Sequence, residues 1–450
     1  MSSDGGMLTL DTAALHTKWI RDVFDEQARA VAAGKGACAP NIAPAECPGG
    51  ADASGNCEAS CGAPPWAIAA VVLPYNMWRY HGDIRLLRAA WPKMRSFMEW
   101  LDSTADNSTG LVMRDGLADW CPPANVANDP KSVSSFSQIM GWKMLAEAAD
   151  GLGQHNDAAA IRTRLGQLSS AYTKAYYDSS SGCYSDSGAQ NSCTQNVQTS
   201  NGMALWLGIP TEAELQKVVQ ALVKDVEGRD HHLSTGIIGT RVLLPSLPME
   251  TAYPLAVQDT YPGPGNFVAN GATTMWERWE ATTHDPTGGS SMNHIMYGGM
   301  QSWYFTHLVG LAQAAGVAGA GYRSIRVAPR VPADLAGAAL QLQTDGGHIH
   351  VQWSQGNATS RQGTGGRFAL SVTVPVSTRA QLCVPTLGQS ASSAHITEGG
   401  SSTWVGGKFV AGSMPGCTGA SANNVPLPGD GLEICFACGC GSYDLVLVEA

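Results

Sequence analysis

The spacing of apolar residues changes once along the 450-residue chain, near residue 318. Upstream, apolar side chains recur every three or four residues, as in residues 86–101 and 215–223, which is the period of an amphipathic helix. Downstream, apolar and polar residues alternate, as in residues 349–353, which is the period of a strand with one buried face. The pattern predicts a mainly α chain: a helical array or toroid over residues 1–318, followed by a small C-terminal β-sandwich over residues 319–450.

Composition excludes several classes of protein. The chain is 44% hydrophobic and 14% charged, which allows a sizeable core. Its net charge of -10 and its lack of a Lys/Arg-rich stripe argue against nucleic acid as a partner and against an anionic membrane surface. No apolar run reaches the roughly 18 residues of a membrane-spanning helix. No phosphate-binding loop or metalloprotease motif is present, so we predict no cofactor and no metal.

Twelve cysteines lie in loop-like stretches. Such clusters are typical of disulfides in secreted proteins, so we predict disulfides and an extracellular, cell-wall or secretory-pathway compartment. The alternative is a zinc site at Cys435-x-x-Cys438-x-Cys440, but no second cysteine pair at suitable spacing and no nearby histidine completes a tetrahedral set. The clusters are Cys38, Cys47, Cys57 and Cys61; Cys183 and Cys193; and Cys383, Cys417, Cys435, Cys438 and Cys440, with Cys121 alone.

The first six residues, Met-Ser-Ser-Asp-Gly-Gly, contain neither the basic nor the apolar region of a signal peptide. Because the cysteines indicate an oxidising compartment, we expect the protein's true N-terminus to lie upstream of this chain. Asn107 and Asn357 match the N-glycosylation pattern, a short pattern that also arises by chance.

The strongest candidate for chemistry is the run Met275-Trp276-Glu277-Arg278-Trp279-Glu280. A carboxylate between indole rings suits a sugar site, because indoles stack on the apolar faces of sugars and the carboxylate can act as acid, base or nucleophile. We predict Glu277 as the catalytic carboxylate and Trp276 as a sugar contact. Glu280 is the competing carboxylate, and a structural role for Glu277, such as pairing with Arg278, is the alternative.

Three further groups of residues are candidates for the same site. His294 lies at the start of an apolar helix and could hydrogen-bond sugar hydroxyls. Asp119 and Trp120 form a polar-aromatic pair, and Trp66 opens an apolar helix after two prolines. Each of these residues could instead be a packed structural residue, and for the pair His231-His232 we favour that structural interpretation.

Taken together, these segments resemble the bacterial-type α-L-rhamnosidases, glycoside hydrolase family 78. Residues 270–279 read Asn-Gly-Ala-Thr-Thr-Met-Trp-Glu-Arg-Trp, and residues 291–298 read Ser-Met-Asn-His-Ile-Met-Tyr-Gly; both are similar to family signatures. Residues 13–22, 119–120, 232–240 and 322–329 agree with further family segments in the same order. The resemblance covers nearly the whole chain.

The resemblance implies an (α/α)6 six-hairpin toroid, incomplete at its N-terminus, followed by a C-terminal β domain. It implies hydrolysis of terminal α-L-rhamnosyl residues from a rhamnose-containing glycoside or polysaccharide, with inversion of configuration. Glu277 would be the general base, and His294, Trp120 and Trp66 would line the rhamnose pocket.

One departure from the family concerns the general acid. The family carries it in a stretch like Asp-x-Pro-x-Arg-Glu-Arg-x-Gly-Trp-x-Gly-Asp, shortly before the first long helix. No such stretch occurs near the start of this chain, where Asp4 is the first acidic residue. Because an inverting glycosidase needs two carboxyl groups, we expect the chain as it stands to be nearly inactive. The alternatives are a non-catalytic carbohydrate-binding member of the family and another helical-toroid glycosidase.

Overall fold

The computed structural model divides the chain into two compact units. The first comprises Met1–Trp78, Asp83–Leu247 and Pro254–Met300, and the second comprises Arg79–Gly82, Pro248–Tyr253 and Gln301–Ala450. The structure describes residues 2–45, 61–114, 117–123, 126, 129–186, 188, 193, 195–280, 291–356, 366–425 and 431–448. Cys47, Cys57 and Asn357 lie outside these residues, whereas Asn107 lies exposed in a turn.

Helices dominate the chain up to residue 308, as the apolar period predicts. Several begin at side chains that satisfy free backbone amides: Asp83 accepts from Arg85 N, and Asp129 accepts from Lys131 N just before Pro130. The helices are α1 Ser3–Thr9, α2 Ala13–Ala32, α3 Pro64–Ala67, α4 Ala69–His81, α5 Ile84–Ser103, α6 Pro130–Gly151, α7 His155–Tyr176, α8 Val197–Leu207, α9 Glu212–Gly228, α10 Ile237–Leu243, α11 Met249–Ala256 and α12 Pro264–Ala269. Shorter helical turns span Leu244–Ser246, Met296–Met300, Gln301–Trp303 and Tyr304–Leu308.

Helix α6 lies at the centre of the first unit. Most of its side chains are buried, and it packs against α3, α5, α7 and α8. An added Cβ at Gly141 would lie 2.6 Å from Ile68 Cδ1 and 2.7 Å from Met98 Sδ, so the helices approach each other closely at this glycine. Helix α10 packs against α8 and against Met296–Met300, which brings together segments distant in sequence.

The second unit contains two β-sheets. Their strands are β3 Leu311–Gln313, β4 Ser324–Val327, β5 Gly337–Thr344, β6 Gly347–Gln355, β7 Gly366–Val374, β8 Arg379–Pro385, β9 Ile396–Glu398, β10 Ser401–Val405, β11 Lys408–Phe409, β12 Cys417–Asn424, β13 Leu432–Cys438 and β14 Gly441–Val448. A two-stranded hairpin in the first unit supplies β1 Tyr177–Asp178 and β2 Cys183–Tyr184.

One sheet has the order β11-β10-β9-β14-β7-β6-β5 and the other β12-β13-β8-β4-β3. Neighbouring strands are antiparallel except β4 and β8. The residues that alternate in the sequence point their apolar side chains inward, as Ile349, Val351 and Trp353 do. Phe409 and Phe436, one from each sheet, have ring centroids 6.2 Å apart. The prediction of helices followed by a β-sandwich is confirmed. The boundary at residue 318 stays a prediction, and the first strand of the sheets, β3, precedes it in the sequence.

Disulfides join four cysteine pairs: Cys38–Cys61, Cys183–Cys193, Cys383–Cys435 and Cys417–Cys438. The last two connect directly paired positions of β8, β13 and β12, so three neighbouring strands are cross-linked. The prediction of disulfides is confirmed. The zinc alternative is wrong, because two of its three cysteines are bonded elsewhere. Among the described cysteines, Cys121 and Cys440 are in no disulfide.

No described helix combines the length and the apolarity needed to cross a membrane.

Candidate active site

The carboxylate of Glu277 is held by two donors from different parts of the first unit. Its Oε1 accepts a hydrogen bond from the Trp120 indole at 3.2 Å, and its Oε2 accepts one from the Ser291 amide at 2.8 Å. The Glu277 amide in turn donates to the Ser291 carbonyl at 3.0 Å. The side chain is half-buried, so it is fixed in direction while water can still reach it.

The charge of Glu277 is stabilised by its surroundings. Partial burial raises the pKa of the Glu277 carboxyl, while the Ser291 amide and the Trp120 indole lower it. The nearby charges of His294 and Arg278 also lower it, and the net pKa lies below the ordinary glutamate value. A carboxyl with a lowered pKa is ionised at neutral pH and can accept a proton, which is the state that a general base requires.

One predicted sugar contact, Trp120, bonds to this carboxylate, and a second, Trp66, lies against Trp120. Both indoles are half-buried, and their rings meet edge to face with centroids 6.5 Å apart and an interplanar angle of 87°. Trp66 comes from the short helix α3, whereas Trp120 comes from the loop between α5 and α6. Partly exposed indole faces next to a carboxylate suit the apolar face of a sugar ring.

His294 lies close enough to Glu277 to interact with its charge. Its amide donates to the Met275 carbonyl at 2.8 Å, so the two signature segments run side by side. The ring is half-buried, and its Nδ1 accepts from the Met296 amide at 3.2 Å. In the neutral ring the proton is therefore on Nε2, which makes that nitrogen a donor for a sugar hydroxyl.

Trp276 differs from its predicted role. Its side chain is 2% exposed and packs against Phe267 with centroids 5.4 Å apart. Trp279 is fully buried, stacks on Phe267 and donates from its indole nitrogen to the Thr235 carbonyl at 2.9 Å. Both rings belong to an aromatic core cluster that includes Tyr297. They therefore anchor the segment that carries Glu277 and leave no face for a sugar.

Asp119 also differs from its predicted role, because it is fully buried. Its Oδ1 accepts from the amides of Ile238 and Gly239 at 2.7 and 3.0 Å, and its Oδ2 accepts from Thr199 Oγ1 and the Gly236 amide at 2.6 and 2.8 Å. Burial raises the pKa of this carboxyl, and these hydrogen bonds oppose that rise. Direct contact with a sugar is not available to a carboxylate enclosed in this way.

Two glycines allow this enclosure. A Cβ at Gly236 would lie 2.2 Å from the Trp120 carbonyl oxygen, and a Cβ at Gly239 would lie 2.3 Å from Thr199 Oγ1. Any larger residue at either position would push the Asp119 loop away from α10. The sequence shows Gly236-x-x-Gly239, but it does not show what approaches the two glycines. Thr199 lies in no motif and is identified only by its hydrogen bond to Asp119. Ser291 opens the 291–298 signature, but only its contact with Glu277 shows its role.

The remaining candidates lie apart from this carboxylate or bond elsewhere. His232 bonds through its ring to the Arg229 carbonyl and to Thr260 Oγ1, each at 2.8 Å, which agrees with the structural interpretation. Glu280 is exposed and accepts from the Tyr261 hydroxyl at 3.1 Å. A cavity of about 340 Å³ in the second unit is lined by Arg326, Glu433 and other residues, and none of the predicted site residues is among them.

The helical first unit, its ionised carboxylate beside two indoles and the β-sandwich that follows are the features of a six-hairpin glycosidase. Comparison with family models agrees. Residues 2–308 match the bacterial α-L-rhamnosidase six-hairpin glycosidase domain, and residues 315–397 match the bacterial α-L-rhamnosidase C-terminal domain. The chain therefore belongs to the bacterial α-L-rhamnosidase family, as its motifs predict.

Curated relatives carry the same family name. The chain is 28% identical over 390 residues to an α-L-rhamnosidase of Streptomyces avermitilis, a match that covers 84% of this chain and 33% of the relative. It is 26% identical to an α-L-rhamnosidase of an Alteromonas species, covering 71% of this chain and 34% of that relative. The chain thus spans about a third of the length of these relatives.

Solved structures support the fold. The chain is similar to the α-L-rhamnosidase from Dictyoglumus thermophilum with a TM-score of 0.77 and 24% identity, covering 100% of this chain and 45% of that chain. It is similar to the Streptomyces avermitilis α-L-rhamnosidase complexed with L-rhamnose with a TM-score of 0.75 and 24% identity, covering 99% of this chain and 37% of that chain. At this level of identity the likeness establishes the fold alone.

Proposed function

We propose that the protein to which this chain belongs hydrolyses terminal α-L-rhamnosyl residues of glycosides or polysaccharides, with inversion at the anomeric carbon. Glu277 is the general base that removes a proton from the attacking water. The observation that carries the proposal is the Glu277 carboxylate itself. It is half-buried and held by the Trp120 indole and the Ser291 amide, whose hydrogen bonds lower its pKa.

A general base in an inverting glycosidase must be ionised and directed at water, without touching the anomeric carbon. Both oxygens of Glu277 are already fixed by one donor each, and each oxygen keeps acceptor capacity for a further donor. A water molecule held between Glu277 and the sugar would therefore lose its proton to a carboxylate whose direction is set in advance. This supports the role of base over that of nucleophile.

The rhamnose itself would lie against Trp120 and Trp66. The partly exposed faces of these indoles suit the apolar face and methyl group of a 6-deoxy sugar, because such contacts depend on apolar area. The Nε2–H of His294 would donate to a ring hydroxyl. The name of the Streptomyces avermitilis structure includes L-rhamnose, which supports this choice of sugar.

The proposal assigns the general acid to no residue of this chain, because the acid-bearing motif of the family has no counterpart in the sequence. A general acid protonates the leaving oxygen, and its loss costs about 10²–10⁴ in rate. A leaving group that departs as a stable anion does not need that proton. The base can therefore be tested separately from the acid.

The experiment compares α-L-rhamnosyl fluoride with methyl α-L-rhamnoside as substrates of this chain. We expect measurable hydrolysis of the fluoride and hydrolysis of the methyl glycoside that is lower by at least about 10². NMR of the first product from the fluoride should show the β anomer, which results from a single inversion. A first product with the α anomer would contradict the proposed mechanism.

A second candidate function is sugar binding without catalysis, since the half-buried indoles of Trp66 and Trp120 would serve a binding site equally well. Binding of L-rhamnose, measured by calorimetry, together with no hydrolysis of the fluoride would support this candidate. Hydrolysis of another aryl glycoside but not of an aryl α-L-rhamnoside would instead indicate a different helical-toroid glycosidase.

The proposal includes an extracellular or secretory-pathway location. It is supported by the disulfides Cys38–Cys61, Cys183–Cys193, Cys383–Cys435 and Cys417–Cys438, since such bonds persist in oxidising compartments. Mass spectrometry of the protein from its source, with thiols alkylated before reduction, tests this. Complete alkylation of these cysteines without reduction would contradict the proposed location.

A further inference from the structure

Asp119 has the chemistry of a catalytic carboxyl, yet it is fully buried and enclosed by protein donors. Three of those donors are backbone amides at the start of α10, those of Gly236, Ile238 and Gly239. Amides at a helix N-terminus have no partner within the helix and favour a negative charge. The fourth donor, the hydroxyl of Thr199, comes from α8.

The same helix end also holds the residue that follows Asp119. The amide of Ile237 donates to the Trp120 carbonyl at 3.0 Å. Consecutive amides at the start of α10 therefore fix the Asp119 side chain and the Trp120 backbone together. A helix cap alone would need only the first of these two attachments.

The backbone on either side of this pair is unusual. Ala118 and Cys121 both have φ of 56°, a left-handed conformation that residues with a Cβ seldom adopt. Such residues persist where the surrounding structure over-determines them. The enclosed Asp119 carboxylate and the close approach at Gly236 supply that constraint.

The constraint on Trp120 reaches Glu277 through a hydrogen bond. The indole of Trp120 donates to Glu277 Oε1, and its ring is braced edge to face by Trp66. We infer that Asp119 is a positioning residue for Glu277: it fixes Trp120 to the start of α10 so that the indole N–H points at the base. Asp119 is thus proposed to act on Glu277 through Trp120, whose backbone and neighbouring carboxylate are both held by α10. The inference rests on the proposed function for its effect on catalysis, but not for its geometry.

The geometry can be measured without activity. The indole N–H signal of Trp120, in a two-dimensional ¹H–¹⁵N NMR spectrum of the full chain and assigned with Trp120→Phe, should shift with pH as Glu277 titrates. Glu277→Gln should abolish that shift and so separate it from pH-dependent changes elsewhere in the chain. In Asp119→Asn the side-chain NH2 group would face backbone N–H donors of α10, so two donors would point at each other. We therefore expect the Trp120 signal to move and to lose its dependence on Glu277.

A matched control is Asp102→Asn. Asp102 also accepts from an indole, that of Trp142 at 3.0 Å, and from Gln138 at 2.6 Å, but it is outside the candidate site. Asp102→Asn should leave the Trp120 titration unchanged even if it lowers the melting temperature. Should Asp119→Asn fail to fold, Thr199→Val removes one donor to Asp119. This variant should reduce the pH-dependent shift of the Trp120 signal, as Asp119→Asn would.

Kinetics on α-L-rhamnosyl fluoride provide the second measurement. Asp119→Asn should lower kcat by about 10²-fold, the cost of a misplaced catalytic group, with a smaller change in KM. The double variant Asp119→Asn/Trp120→Phe should be no slower than Trp120→Phe, because Asp119 acts through Trp120. Additive losses would overturn the inference, as would a wild-type Trp120 titration in Asp119→Asn. If the Trp120 signal behaves as expected in every variant but the fluoride is not hydrolysed, only the proposed function is refuted.

Discussion

Replacing Glu277 with Gln removes the charge of the proposed base and almost nothing else. The two side chains have the same shape, and both can fill the space between the Trp120 indole and the Ser291 amide. Loss of a positioned base lowers the rate by about 10²–10⁴. At about 1.36 kcal/mol for each tenfold change, this raises the barrier by about 2.7–5.4 kcal/mol.

The structural cost of the same change is much smaller. A Gln side chain accepts only through its carbonyl oxygen, so one of the two donors that now bond to Glu277 would face the amide nitrogen. A hydrogen bond contributes about 0.5–1.5 kcal/mol net, and Glu277 is half-exposed, so water can replace the lost partner. We expect the free energy of unfolding to fall by no more than about 1 kcal/mol.

The assay is release of fluoride from α-L-rhamnosyl fluoride, together with a melting curve for each variant. The matched control is Glu280→Gln, which removes the same charge three residues further along the chain. Glu280 is exposed and accepts a hydrogen bond from the Tyr261 hydroxyl. We expect Glu280→Gln to remain within a few-fold of wild type. Near-normal activity of Glu277→Gln would refute the reasoning, and loss of activity in Glu280→Gln alone would identify Glu280 as the base.

Gly236→Ala places a Cβ 2.2 Å from the Trp120 carbonyl oxygen and should destabilise the chain by about 3 kcal/mol. The control Gly166→Ala, in open space within α7, should stabilise the chain by about 0.5–1 kcal/mol. Urea denaturation measures both changes, and equal effects would contradict the argument. Trp279→Ala removes a fully buried ring and should cost about 3–5 kcal/mol, a loss that the same denaturation curves measure; a change below about 1 kcal/mol would show that the aromatic cluster does not support the turn. The folded-state pKa of Glu277 is lowered, so its ionised form stabilises the fold above the ordinary glutamate pKa, and this stability is lost as pH falls through the lower folded pKa. The rate of fluoride hydrolysis should therefore fall on the acid side only below the ordinary glutamate range. A fall in rate that begins above that range would contradict the assignment.

Much of the fold could be predicted because it follows from local periodicity. Helices such as α5 and α9 and strands such as β6 bury the residues whose spacing identifies them. The disulfide prediction succeeded for a different reason, since it rested on the clustering of cysteines in loop-like stretches. Their pairing could not be predicted: Cys435 lies opposite Cys383 because β8 and β13 are neighbours, and the sequence does not state strand order.

The candidate site was predicted only in part. Glu277, His294, Trp120 and Trp66 carry recognisable motifs, and the structure brings Glu277, Trp120 and His294 together, with Trp66 beside Trp120. Trp276 has the same residue type as Trp120 but the opposite placement, since one indole is in the core and the other beside the carboxylate. Residue type alone cannot distinguish these two placements, because an indole suits both a core and a sugar site.

The sequence by itself determined the family, the change from helices to strands and the identity of the candidate base, because these depend on residue type and local spacing. Only the tertiary structure decided how the base is held. Asp119 and α10 are more than 100 residues apart in the chain, yet their close approach at Gly236 and Gly239 aims Trp120 at Glu277. Such contacts depend on which segments pack together, and packing is a property of the whole folded unit.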